Sequence, residues 1–125
     1  MGVPVRQRIK RTADFQAVRE RGWKNGSSHF FLQILVQDVA QGAPSRKVGV
    51  IASRRVGNAV ARNRCKRLMR EVFRRCEGML PHRCEVVMVA RAECVKAGYQ
   101  EVEADFLQLI ERFNRWHERQ TASSD

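Results

Sequence analysis

KVGVIASRRVGNAVARNRCKRLMREVFRRCEGMLPHRCEVVMVA, Lys47 to Ala90, decides the fold. It opens on a strand, Lys47–Ser53, whose Val48, Val50 and Ala52 share one face at period two. Gly57 then punctuates the chain, and Asn58 has the short acceptor side chain that starts helices. The helix runs to about Cys76, where Gly78 and Pro81 end it. Cys84–Ala90 is again a strand, nearly continuous in apolar residues, which predicts an inner position in a sheet. Strand, helix, strand in that order implies a crossover and therefore a mixed sheet.

The flanks extend the pattern. Ser28–Val36 reads as a strand with Phe30, Leu32, Ile34 and Val36 on one face and His29, Phe31, Gln33 and Leu35 on the other. The segment DVAQGAPS (38–45) reads as a turn. It would join this strand to Lys47–Ser53 as an antiparallel hairpin. Upstream, Thr12 is placed to cap a short helix over 13–21 that Gly22 stops. Downstream of Gly98, a last helix runs through Glu118 with an apolar stripe of Val102, Phe106, Leu109, Ile110 and Phe113. Residues 1–11 and 118–125 read as flexible. The expected architecture is α+β: one two-layer domain over residues 1–125, in the order α-β-β-α-β-α, with helices packed on a small mixed sheet.

A chain of 125 residues can bury one core without metal or disulfides. Its formal charge is +11, from 24 Lys and Arg against 13 Asp and Glu. That balance favours a polyanionic partner, nucleic acid before membrane. No apolar run reaches the length of a membrane span, and the opening MGVPVRQRIKRTADF lacks the apolar block of a signal peptide. The protein reads as cytoplasmic. Cys65, Cys76, Cys84 and Cys94 show no close C-x-x-C spacing, so they read as small reduced hydrophobes and no metal site is expected.

On a helical wheel the central helix sorts cleanly. Ala61, Cys65, Leu68, Met69, Val72 and Cys76 face the sheet. Arg62, Lys66, Arg70 and Arg74 run down an adjacent arc, which Asn63 and Arg67 widen, while Arg64, Glu71 and Arg75 form a third sector. Like charges four residues apart repel by a few tenths of a kcal/mol per pair. A merely solvated face explains that stacking poorly. A phosphate-tracking stripe explains it well, because arginine forks match phosphate oxygens in pairs. Arg54 and Arg55, just before the helix N-terminus, add to it. Lys47, Ser53, His29, Phe31 and Gln33 fall on the sheet face away from the apolar set. An aromatic and polar donors beside cations suit single-stranded nucleic acid, although Phe31 could equally be buried under a helix.

VGNAVARNRCKRLMREVF, with the preceding VGVIASRR, closely resembles the signature of the bacterial ribonuclease P protein family. The RNR triplet is Arg62, Asn63 and Arg64, continued by Lys66, Arg67, Arg70 and Glu71. DFQAVRERG resembles that family's opening helix. The resemblance covers roughly residues 8 to 115. It implies a left-handed βαβ crossover, against the usual right-handed rule. It also implies a catalytic RNA partner that carries the active site, with no catalytic residue in the protein. The reaction implied is removal of the 5′ leader of precursor tRNA by phosphodiester hydrolysis, with Mg2+ required by the RNA and no cofactor bound by the protein alone. Arg54, Arg55, Arg62, Asn63, Arg64, Lys66, Arg67, Arg70 and Arg74 would then face RNA. Phe15, Arg19, His29, Phe31, Gln33, Lys47 and Ser53 would line a cleft for the leader. Arg19 stands where many members carry a second aromatic, and Gln33 where many carry tyrosine, which shifts the expected cleft from stacking toward charge and hydrogen bonding.

Other readings fare worse. A protein-only nuclease needs converging acids or histidines, and His29, His82 and His117 share no ligand spacing. A DNA reader needs a helix presented to a major groove, whereas this one lies between strands. A ribosomal or other structural RNA-binding protein is the main alternative, and it gives no reason for the RNR block.

Overall fold

The computed structural model describes residues 2–37 and 45–123. The elements are α1 (Thr12–Arg21), β1 (Trp23–Gly26), β2 (Phe30–Val36), β3 (Ser45–Ile51), α2 (Ala59–Cys76), β4 (Arg83–Ala90) and α3 (Tyr99–Ser123). Short 3-10 turns occupy Val5–Gln7, Glu77–Met79 and Ala92–Lys96. The four strands form one sheet in the order β1-β2-β4-β3.

β4 lies where its apolar run predicted, between two neighbours. It is antiparallel to β2, with Ile34 opposite Val86, and parallel to β3, with Val48 level with Val86. The β3–α2–β4 segment is thus a crossover between adjacent parallel strands. The expected β2–β3 hairpin does not form, because β4 inserts between them. Most of the turn assigned to 38–45 lies outside the described residues. β1 was not anticipated; it pairs antiparallel with β2, Trp23 opposite Ile34.

The main core lies between the sheet and the pair α2 and α3. Phe30, Leu32 and Ile34 of β2 meet Val86 and Met88 of β4 there. On α2, Cys65, Met69, Val72 and Cys76 are buried as expected, together with Phe73. Ala61 and Leu68 are only partly covered. The Asn58 side chain accepts from the Ala61 N–H at 2.9 Å and caps the helix. On α3, Val102, Phe106, Leu109, Ile110 and Phe113 are each at most 1% exposed. All four cysteines are free and buried. Burial pushes the Cys84 thiol up to about 12, and burial with the adjoining Cys65 thiol does the same for Cys94.

α1 adds a partial third layer on the opposite sheet face, where Val18 packs with Ile9 and Val87. Thr12 is the first helical residue, and Arg11 takes the cap position without a side-chain bond. Gly22 ends the helix through space, not handedness: its backbone is extended, and a side chain there would overlap the Val18 carbonyl oxygen and approach that of Ile34 to 2.9 Å.

Residues read as flexible carry contacts of their own. The Ile9 N–H donates to the Val48 carbonyl at 3.0 Å on the free side of β3. Gln7 Nε2 donates to Arg46 O and to Glu77 Oε1, at 3.1 and 3.0 Å. Val3 and Ile9 are buried. At the other end α3 continues past Glu118 to Ser123. Among the described residues no helix is long and apolar enough to cross a membrane.

Candidate nucleic-acid interface

The cations of α2 divide into two groups. Glu71, the helix's only acid, takes up Arg74, whose Nη2 lies 2.6 Å from Oε1, and Arg75, whose Nε lies 3.1 Å from it. Hydrogen bonding from Arg74 holds the Glu71 carboxyl below the ordinary carboxylate range. Arg75 also lies over the Tyr99 ring, 5.1 Å from its centroid. Arg74, placed in the stripe on sequence grounds, is therefore paired within the helix and shares the Glu71 carboxylate with Arg75.

Arg62, Lys66, Arg67 and Arg70 form no ion pair among the described residues. Arg67 and Arg70 form a ridge between two grooves. One, of about 530 Å³, is bounded also by Gly2, Arg8, Arg64, Leu68 and Glu71; the other, of about 500 Å³, by Val60, Asn63 and Lys66. Partial burial and then the charge of Arg8 lower the Arg70 guanidinium pKa. Arg62 Nε is buried without a hydrogen-bond partner. Arg54 and Arg55 are exposed in the turn before Asn58. Arg64 differs from the rest: its guanidinium donates to the backbone carbonyls of Cys94, Val95 and Ala97.

The opposite sheet face holds a hollow of about 350 Å³ beside α1. Thr12, Phe15, Gln16 and Arg19 of α1 and Gln33, Ile51, Val87 and Val89 of the sheet enclose it. Phe15, Arg19 and Gln33 thus line one hollow. Phe31 is 46% exposed and sits one pleat beyond Gln33. The Arg91 guanidinium covers its ring at 5.0 Å from the centroid. Ser53 is exposed just past Ile51 on β3.

Two residues assigned to that cleft lie elsewhere. Lys47 borders a separate groove of about 420 Å³ on the far side of α1, with Arg6, Arg8, Lys10, Arg11, Asp14 and Glu85. His29 turns toward α3: Nδ1 is 2.6 Å from Asp105 Oδ2 and Nε2 is 3.6 Å from Glu101. His29 precedes β2 in a bend, so strand alternation does not govern it. Sequence reasoning missed Arg91 on the open face and Arg8 beside Arg70. Arg91 was within reach of it, since Val87, Val89 and Arg91 follow one another at period two. Among the described residues no three His, Cys, Asp or Glu side chains converge in metal-binding geometry.

The geometry defines a small basic α+β domain with a row of cations on α2 and an open hollow beside α1, one on each side of a mixed sheet. Residues 3–114 match the family model described as Ribonuclease P. The chain is 30% identical over 107 residues to the ribonuclease P protein component of Bacillus cereus (strain B4264), which covers 86% of this chain and 90% of that one. It is 42% identical over 72 residues to the same component of Shouchella clausii (strain KSM-K16), 58% of this chain and 57% of that one. The solved RNase P protein from Thermotoga maritima shares the fold with a TM-score of 0.71 at 26% identity, covering 86% of this chain and 97% of that one. The chain belongs to the ribonuclease P protein family.

Proposed function

We propose that this chain is the protein subunit of a ribonuclease P ribonucleoprotein that matures the 5′ ends of tRNA. The Arg62, Lys66, Arg67 and Arg70 side of α2, extended by Asn63, Arg54 and Arg55, binds the catalytic RNA. The open sheet face beside α1, from Phe15, Arg19 and Gln33 toward Phe31, Arg91 and Ser53, receives the 5′ leader of precursor tRNA. The observation that carries this reading is the set of α2 cations that form no ion pair among the described residues, two of them standing between two grooves. Such a stripe lowers helix stability slightly and gains from phosphates spaced along a strand.

The chain's part in the chemistry is binding and orientation. Cations against the RNA backbone replace part of the ionic screening that RNA packing needs, and a held leader fixes where the scissile bond lies. Hydrolysis belongs to the RNA in this reading, and so does the Mg2+ it requires; among the described residues no carboxylate or histidine set converges. Reconstitution tests it. At low magnesium a bacterial ribonuclease P RNA should cleave precursor tRNA only when this protein is added, and the protein alone should cleave nothing. Co-purification with ribosomal particles, and no stimulation of that RNA, would favour the structural RNA-binding alternative.

A further inference from the structure

Arg64 is the second arginine of the RNR triplet, and its side chain is committed to the fold. Nη1 lies 2.9 Å from Val95 O and 3.4 Å from Cys94 O, and Nη2 lies 2.7 Å from Ala97 O. These carbonyls lie in the 3-10 turn Ala92–Lys96 and its link to α3, and that of Cys94 also accepts the Ala97 N–H at 3.2 Å. The turn is coupled to the leader face by one further bond, from Cys94 N–H to Arg91 O at 3.0 Å. The Arg91 side chain covers Phe31, and its Nη1 donates to Ser27 O at 2.9 Å. Beneath the clamp, Cys65 of α2 meets Cys94, both at 0% exposure. A continuous set of contacts thus leads from the RNA-facing helix, through Arg64 and the turn, to the pair Arg91 and Phe31.

We propose that Arg64 is a positioning residue. It makes no phosphate contact; it clamps the Ala92–Lys96 turn and so holds Arg91 over Phe31 on the face that receives the leader. The last step rests on the reading of that face given under Proposed function. Lysine keeps the charge at this position but has no planar fork to reach three carbonyls, so charge and clamp can be separated.

The test compares Arg64→Lys and Arg64→Ala with Arg70→Ala, Arg91→Ala and the double variant Arg64→Lys/Arg91→Ala. Three readouts apply: the melting temperature of the free protein, the salt slope of binding to ribonuclease P RNA, and holoenzyme kinetics on precursor tRNAs with one-nucleotide and ten-nucleotide leaders. Both Arg64 variants should melt about 4–8 °C lower and keep the wild-type salt slope. Arg64→Lys should raise KM for the long leader about 3–10-fold, with kcat and the short-leader KM unmoved, and Arg91→Ala should add nothing to it. An unchanged melting temperature with a slope shallower by about 0.7–0.9 in Arg64→Ala would make Arg64 a phosphate contact and overturn the proposal. Equal KM rises for both leaders, or additive effects of the two substitutions, would reduce Arg64 to a stability residue and also overturn it. If Arg70→Ala and Arg91→Ala both leave binding untouched, the RNA reading itself has failed, and the melting data still report on the clamp.

Discussion

Gly49 lies on β3 directly under Phe15, and a β-carbon there would overlap the ring. Gly49→Ala should therefore push Phe15 away from the sheet, at a cost of about 1–3 kcal/mol for overpacking. The same displacement reshapes the hollow that Phe15 shares with Gln33 and Arg19. Chemical denaturation should show the loss of stability, and binding of long-leader precursor tRNA should weaken with it. Retained stability and leader affinity would mean that Phe15 has another place to go. At this scale the legible residues are those whose partners are local. Asn58 caps α2 three residues downstream, and its signal is complete within one turn. His29 is the counterexample: its partner Asp105 is 76 positions away on α3, and no local pattern announces it.

α2 is the element on which the functional reading stands. Lys66→Ala and Arg70→Ala each remove one cation from a self-repelling side and insert the best helix former. The free variants should melt at the wild-type temperature or slightly above it, the more so for Arg70, whose guanidinium faces Arg8. Affinity for ribonuclease P RNA should fall by about 1–3 kcal/mol per variant, with a salt slope shallower by roughly 0.7–0.9. Filter binding across a salt series measures both, and an unchanged slope would leave the stripe as a solvated face. The elements themselves were legible where period and burial agree, as in α2, α3 and the doubly buried β4. Strand pairing was not. Hydrophobic period says which side chains share a face, but it carries no information on which strand lies alongside, so β2 and β3 read as a hairpin although β4 separates them. β1 escaped notice because WKNG is four residues long and pairs only at the sheet's edge.

For the molecule as a whole, Glu85 gives a measurable pH dependence. It lies in the groove between the N-terminal segment and α1. Burial, and then the charge of Asp14, hold its carboxyl above the ordinary range, against the pull of Lys47, Gln37 and Arg21. An acid with a raised folded pKa supports the fold most when protonated, and that contribution is lost as pH rises through the raised value. Glu85→Gln should therefore melt higher than wild type at pH 7. The advantage should vanish below about pH 4, where both side chains are neutral. A constant difference across that range would point to a packing effect instead.

The bond from Ile9 N–H to Val48 carbonyl also bears on colloidal behaviour. β3 is a terminal strand of the sheet, and residues 5–9 run beside it while Val3 and Ile9 fill apolar gaps. An uncovered strand of this kind is a template for pairing with another chain, and native proteins shield it. Deleting residues 1–9 strips that shield and opens apolar surface in the same place. The shortened protein should self-associate as its concentration rises, despite a large net positive charge, and light scattering should detect it where the full chain stays monodisperse. Equal scattering from the two would show that charge alone keeps the strand from finding a partner.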